Sequence, residues 1–172
     1  MTGKTDYIID YLLKQDKGME WELKQNDPKR KPRRLTQNAY YWVLVGKLAQ
    51  ATGISSAEIH NRNLRDLGLV ERTNEGDLIT VVLPDTVRAE KDALEATMFH
   101  IKPTSKVIKG KRRRNLRVYV LLRGSSTFNV SEFSALVDLA VQDAQTEGIE
   151  TIPPDELAHI RELELQHEKV RE

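Results

Sequence analysis

The chain has no cysteine, so disulfides and thiolate metal sites are excluded and the composition fits a reducing compartment. It has few aromatics, 6% of 172 residues, so any stacking surface for bases must rest on a handful of side chains. No apolar run is long enough to span a bilayer. The segment Met1–Asp6 lacks the charged start, apolar stretch and small-residue cleavage site of a signal peptide, which makes the cytoplasm the expected location. An excess of one charge is also missing, because the formal net charge is only +1.

That average hides an uneven distribution. Five of the six residues from Lys29 to Arg34 are basic, and Lys102 to Arg117 holds eight basic residues and no acid. Ser131 to Glu172 holds eleven acidic residues against three basic ones. Hydrophobic residues at 39% and charged residues at 31% describe a chain that folds around one core. One molecule therefore carries a basic surface and an opposed acidic segment.

Periodicity divides the chain into short elements. Thr5 to about Gln15 reads as a helix, with Ile8, Ile9, Leu12 and Leu13 on one face, and Met19, Trp21 and Leu23 alternate with polar residues as in a half-buried strand. Asn26 to Arg34 is a basic loop punctuated by Pro28 and Pro32. Thr36 is placed to cap a largely buried helix to about Ala51, and Ser55 or Ser56 a shorter one to Leu67. Leu69–Arg72 and Leu78–Leu83 predict a hairpin, Asp85 to about Ala96 a weak helix, and Met98–Ile101 a short strand. Leu116–Leu122 is the clearest later strand, expected to turn Val118, Val120 and Leu122 to one face and Arg117, Tyr119, Leu121 and Arg123 to the other. Asn129 and Glu132 have capping-box spacing for a helix closed by Gly148, and Pro153-Pro154 opens a last helix, Asp155 to about Lys169. The expected fold is α+β, a small mixed sheet with packed helices: a DNA-binding domain over 1–150 and an acidic C-terminal helix over 151–172.

Clustered Arg and Lys suit phosphates, because guanidinium groups bind them bidentately and each neutralised phosphate releases counterions. The candidate DNA contacts are Lys29, Arg30, Lys31, Arg33 and Arg34, with Gln37 and Asn38 at a helix start whose free amides also attract anions. The second group is Lys109, Lys111, Arg112, Arg113, Arg114 and Arg117, the basic turn of a hairpin returning along Leu116–Leu122. Tyr40, Tyr41, Trp42 and Tyr119 are candidate stackers. Helical spacing assigns Trp42 to the core, and Tyr119 is the more open of them.

Signals for catalysis are weak. Gly3-Lys4-Thr5 imitates the tail of a phosphate-binding loop without its first glycine or preceding strand. His60-Asn61 evokes a metal-dependent nuclease motif, yet His100, His159 and His167 show no ligand spacing relative to it. Asp66, Asp77 and Asp85 are the carboxylates that a magnesium site would need to bring together. No catalytic residue, metal or cofactor is assigned.

Arg34-Leu35-Thr36-Gln37-Asn38 followed by Trp42, and Gly124-Ser125-Ser126-Thr127 leading into Val130-Ser131-Glu132-Phe133, resemble the phage NinB family of recombination proteins. The resemblance covers Met19–Leu23, the helix from Thr36, and Leu116 to Glu150. The stretch from Ile54 to Lys111 is longer than the family pattern, and Thr36 stands where an aspartate is common. What the resemblance implies is an α+β homodimer that binds single-stranded or branched DNA. It also implies help in loading a recombinase or annealing protein onto strands covered by single-strand-binding protein. The alternative class is a metal-dependent phage nuclease or junction resolvase.

Overall fold

The structure, a computed structural model, describes residues 36–110 and 114–169. The expected helix at Thr5–Gln15, the strand at Met19–Leu23 and the loop at Asn26–Arg34 lie outside these residues, as do Lys111, Arg112 and Arg113.

Each helix starts where a side chain can satisfy its free amides. Thr36, extended, accepts from the Ala39 amide at 3.1 Å and begins α1, Gln37–Thr52. Gly53 ends it in the left-handed region at φ 71°, a conformation that costs a Cβ-bearing residue about 1 kcal/mol or more. Ser55 caps α2, Ser56–Leu67, through the Glu58 amide, and Thr86 caps α3, Val87–Glu95, through Ala89. Asn129 and Glu132 form a reciprocal capping box at the start of α4, Val130–Thr146. α5 runs Pro154–Lys169, with Pro154 at the first position, where its missing N–H costs nothing.

Two clusters hold the fold. Tyr40, Tyr41, Leu44, Val45 and Leu48 fall on one side of α1 and meet Ile59 and Leu64 of α2, Leu136, Val137, Ala140 and Ala144 of α4, and Leu157 of α5. The C-terminal helix is thus packed into the same core as residues before it. Only one face of α1 is buried, which leaves Trp42 42% exposed and corrects its assignment to the core.

The sheet has three antiparallel strands in the order β1 (Thr80–Pro84), β3 (Asn115–Leu122), β2 (His100–Lys109). Val82 pairs with Val118, His100 with Leu122 and Lys109 with Asn115. The β2–β3 register shifts between Pro103 and Val107, and because β2 is an edge strand, Pro103 is tolerated there without an amide to donate. The second cluster, Ala93, Ile101 and Tyr119, joins α3 to this sheet.

Three expectations change. Leu69–Arg72 and Leu78–Leu83 touch each other only through the Arg72–Leu78 bridge. The longer ladder is between β1 and β3, while Val70 bridges to Leu122 at the end of β3. The strand expected at Met98–Ile101 extends to Lys109. Tyr119 is 1% exposed beneath α3, its hydroxyl donating to Glu90 Oε2 at 2.6 Å, so it is core and unavailable for stacking. Burial first, and the Glu90 carboxylate second, push its phenol up to about 12. Among the described residues no helix is long and apolar enough to cross a membrane.

Candidate functional site

The second basic run joins β2 to its antiparallel neighbour β3. Gly110 donates its amide to the Arg114 carbonyl at 2.8 Å, and Lys111, Arg112 and Arg113 fall between these two residues in the sequence. On its outer half, β2 is exposed on successive residues from Ser105 to Lys109, so both of its faces meet solvent there. Lys106, Lys109 and Arg114 are among the exposed cations, and Lys109 Nζ donates to Asn115 Oδ1 at 2.7 Å across the hairpin base.

Two cations of the run point back into the fold. Arg117 donates through Nε to Asp85 Oδ1 at 2.7 Å and through Nη1 to the Thr104 carbonyl at 3.0 Å, tying the end of β1 to the irregular part of β2. The bond to Asp85 raises the pKa of its guanidinium further. Arg117 therefore acts as a strut of the hairpin before it can act as a phosphate contact. Lys102 Nζ donates to the Arg65 carbonyl at 2.7 Å.

The start of α1 also departs from expectation. Gln37 is 1% exposed, with its backbone amide donating to Glu164 Oε1 at 3.0 Å and its Nε2 to Glu164 Oε2 at 2.7 Å. Its Oε1 accepts from Ser134 at 2.8 Å. The carboxylate of α5 occupies the anion-attracting end of α1, so Gln37 is a packing residue buried out of reach of DNA. Asn38 is exposed at the same turn. Lys29, Arg30, Lys31, Arg33 and Arg34, which precede it in the chain, lie outside the described residues.

A cleft of about 360 Å³ is lined by Trp42, Ala57, His60, His100, Gly124 and Ser125, among others. The fold brings together two histidines that sequence spacing kept apart, His60 on α2 and His100 at the start of β2, with ring centroids 5.3 Å apart edge to face. His60 Nδ1 lies 2.8 Å from the Tyr41 hydroxyl, and its Nε2 is 3.5 Å from Ser125 Oγ. Trp42 tilts over the same ring at 4.9 Å. His100 Nδ1 is 2.6 Å from Asn61 Oδ1. Burial, then repulsion from His100, lowers the His60 imidazole to about 4, and burial lowers His100 as well. Both rings are neutral at physiological pH. The sequence marks His60-Asn61 as a motif but carries no signal that His100 lies beside it, and Gly124-Ser125-Ser126 stands out only through the family resemblance.

The three aspartates do not meet. Asp85 is paired with Arg117, Asp77 accepts from Thr73 in a turn, and Asp66 lines a separate cleft with Asp143 and Glu147. The Asp77 carbonyl receives the Thr73 amide at 2.9 Å and its own amide donates to Thr73 Oγ1 at 3.2 Å, both local turn contacts. Among the described residues no group of three His, Cys, Asp or Glu side chains is placed to hold a metal ion. In comparison with known proteins, no family model, no curated protein and no solved structure matches the chain.

Proposed function

We propose that the protein is a DNA-binding accessory factor of phage recombination that grips the phosphate backbone with the basic segment joining β2 to β3. One observation carries this reading: the outer half of β2 is exposed on both faces, and Lys111, Arg112, Arg113 and Arg114 follow it in the chain before β3. An edge strand with solvent on both faces gains little from the core, and a run of cations in the segment that follows it suits a ligand better than packing. The resemblance to the NinB family favours single-stranded or branched DNA as the ligand and a homodimer in the host cytoplasm as the working form. It also favours handover of the strand to a recombinase or annealing protein, with single-strand-binding protein as a further partner. Lys29 to Arg34 are a further set of phosphate contacts in this reading.

A phosphate-dominated site that neutralises five phosphates of a single strand loses about a hundredfold in affinity between about 50 and about 200 mM salt. Replacing Arg112, Arg113 and Arg114 with alanine should weaken binding equally on all sequences while leaving the circular dichroism spectrum unchanged. Affinity that does not respond to salt would overturn the reading. Cleavage of branched DNA that requires magnesium or manganese would replace it with the nuclease.

A further inference from the structure

The cleft between Trp42, His60, His100 and Ser125 has a fixed pattern of hydrogen-bonding groups, and the hairpin grip makes no use of it. Asn61 Nδ2 donates to the carbonyls of Leu94 at 2.6 Å and Ala96 at 2.8 Å, which turns Oδ1 toward His100. A carboxamide oxygen only accepts, so His100 carries its proton on Nδ1 and keeps a lone pair on Nε2. Tyr41 is fully buried, and its hydroxyl oxygen receives Asn63 Nδ2 at 3.4 Å. The hydroxyl proton therefore goes to His60 Nδ1, the acceptor within reach at 2.8 Å, which leaves the His60 proton on Nε2. One ring offers the cleft an acceptor and the other a donor.

This arrangement disfavours a serine nucleophile. Ser125 Oγ faces the protonated nitrogen of His60 at 3.5 Å, beyond a normal hydrogen bond, and a base that stays neutral down to about 4 removes a hydroxyl proton poorly at neutral pH. The groups suit recognition instead. A nucleobase is planar and carries a donor next to an acceptor on its pairing edge, and stacking on an aromatic face tolerates any base. Trp42, 42% exposed beside His60, offers that face. The volume of about 360 Å³ lies at the small end of the roughly 300–1,000 Å³ range of small-ligand sites.

We propose that this cleft receives one unpaired base of bound DNA, stacked on Trp42, with its pairing edge between His60 Nε2–H and the lone pair of His100 Nε2. The inference rests on the DNA-binding reading above and gives it a preference for single strands: a paired base has its edge occupied and cannot enter.

The test compares the full-length protein on three labelled strands: a short oligothymidine, the same strand carrying abasic sites, and the same strand carrying N3-methylthymine, which lacks the donor. Fluorescence anisotropy should give about tenfold tighter binding to oligothymidine than to the abasic strand. The N3-methyl strand should fall to near the abasic value. A plugged cleft provides the protein-side control. Gly124 has an ordinary extended backbone, and a Cβ there would meet His100 Cδ2 at 3.9 Å without a clash, so Gly124→Leu covers the ring without straining the chain. This variant should bind all three strands with the affinity of the unaltered protein for the abasic one. Equal affinity of the unaltered protein for oligothymidine and abasic strands would overturn the base pocket and leave the backbone grip standing. Failure to bind any strand would overturn both. N3-methylthymine bound as well as thymine would overturn the role given to His100.

Discussion

Acidification should destabilise the protein through His60, by an amount that the structure sets. The residue is 6% exposed and is held at about 4, first by burial and then by the neighbouring His100, whereas an unfolded histidine titrates near 6.5. Because the folded value lies below the unfolded one, protons bind the unfolded chain more tightly. This group's contribution is complete above about pH 6.5, declines between about 6.5 and about 4, and changes no further below that. Over that window the loss is about 3 kcal/mol, a large share of the roughly 5–15 kcal/mol that holds a domain together. Urea unfolding at about pH 7 and about pH 4 should show the drop, and the same pair of measurements on His60→Asn should show a drop smaller by about 3 kcal/mol. The comparison of slopes matters, because removing His60 also strips Tyr41 of a partner and lowers stability at every pH. An identical pH slope in the two proteins would refute the placement of His60 as a buried neutral group.

Other consequences are simpler to read. Gln37→Ala leaves the Glu164 carboxylate and the Ser134 hydroxyl short of a partner, and should cost about 1–3 kcal/mol in chemical unfolding with no change in DNA affinity. Leu136→Ala opens a cavity at a fully buried position in the main cluster and should cost about 2–5 kcal/mol by thermal or urea denaturation. Trp42, unlike a core tryptophan, should be quenched by acrylamide in the folded protein when Trp21 is replaced by phenylalanine, and protection from quencher would contradict its exposure.

Helix starts were the most legible part of the fold, because a cap is a local event. Thr36, Ser55 and the Asn129–Glu132 box each satisfy amides within three residues, and nothing distant competes with them. Strands were less legible. Pro103 and the lysines of β2 break the alternation that a strand should show, so only its first residues were recognisable before β3 revealed the register. Tyr119 was misplaced because period two separates the faces of a strand without saying which one a helix will cover, and α3 covers this one. Trp42 was misplaced for the converse reason: in a helix dense with bulky residues, period 3.6 alone does not reveal which one is left at the edge of the buried face. The candidate site divides in the same way. A run of cations is visible in any sequence, and the strands on either side of this one pair with each other. The internal work of Gln37 and Arg117 depends on partners 127 and 32 residues away, and the meeting of His60 and His100 on residues 39 apart from Asn61 to His100. No spacing rule reaches that far.

The proposed backbone grip by the basic segment between β2 and β3 is tested most directly by a salt titration of single-stranded DNA binding by the unaltered protein beside the variant with alanine at 112, 113 and 114. Each phosphate contact contributes about 0.7 to the slope of log affinity against log salt, so the variant should bind more weakly and with a slope shallower by about 2. Equal affinity and equal slope in the two proteins would contradict it.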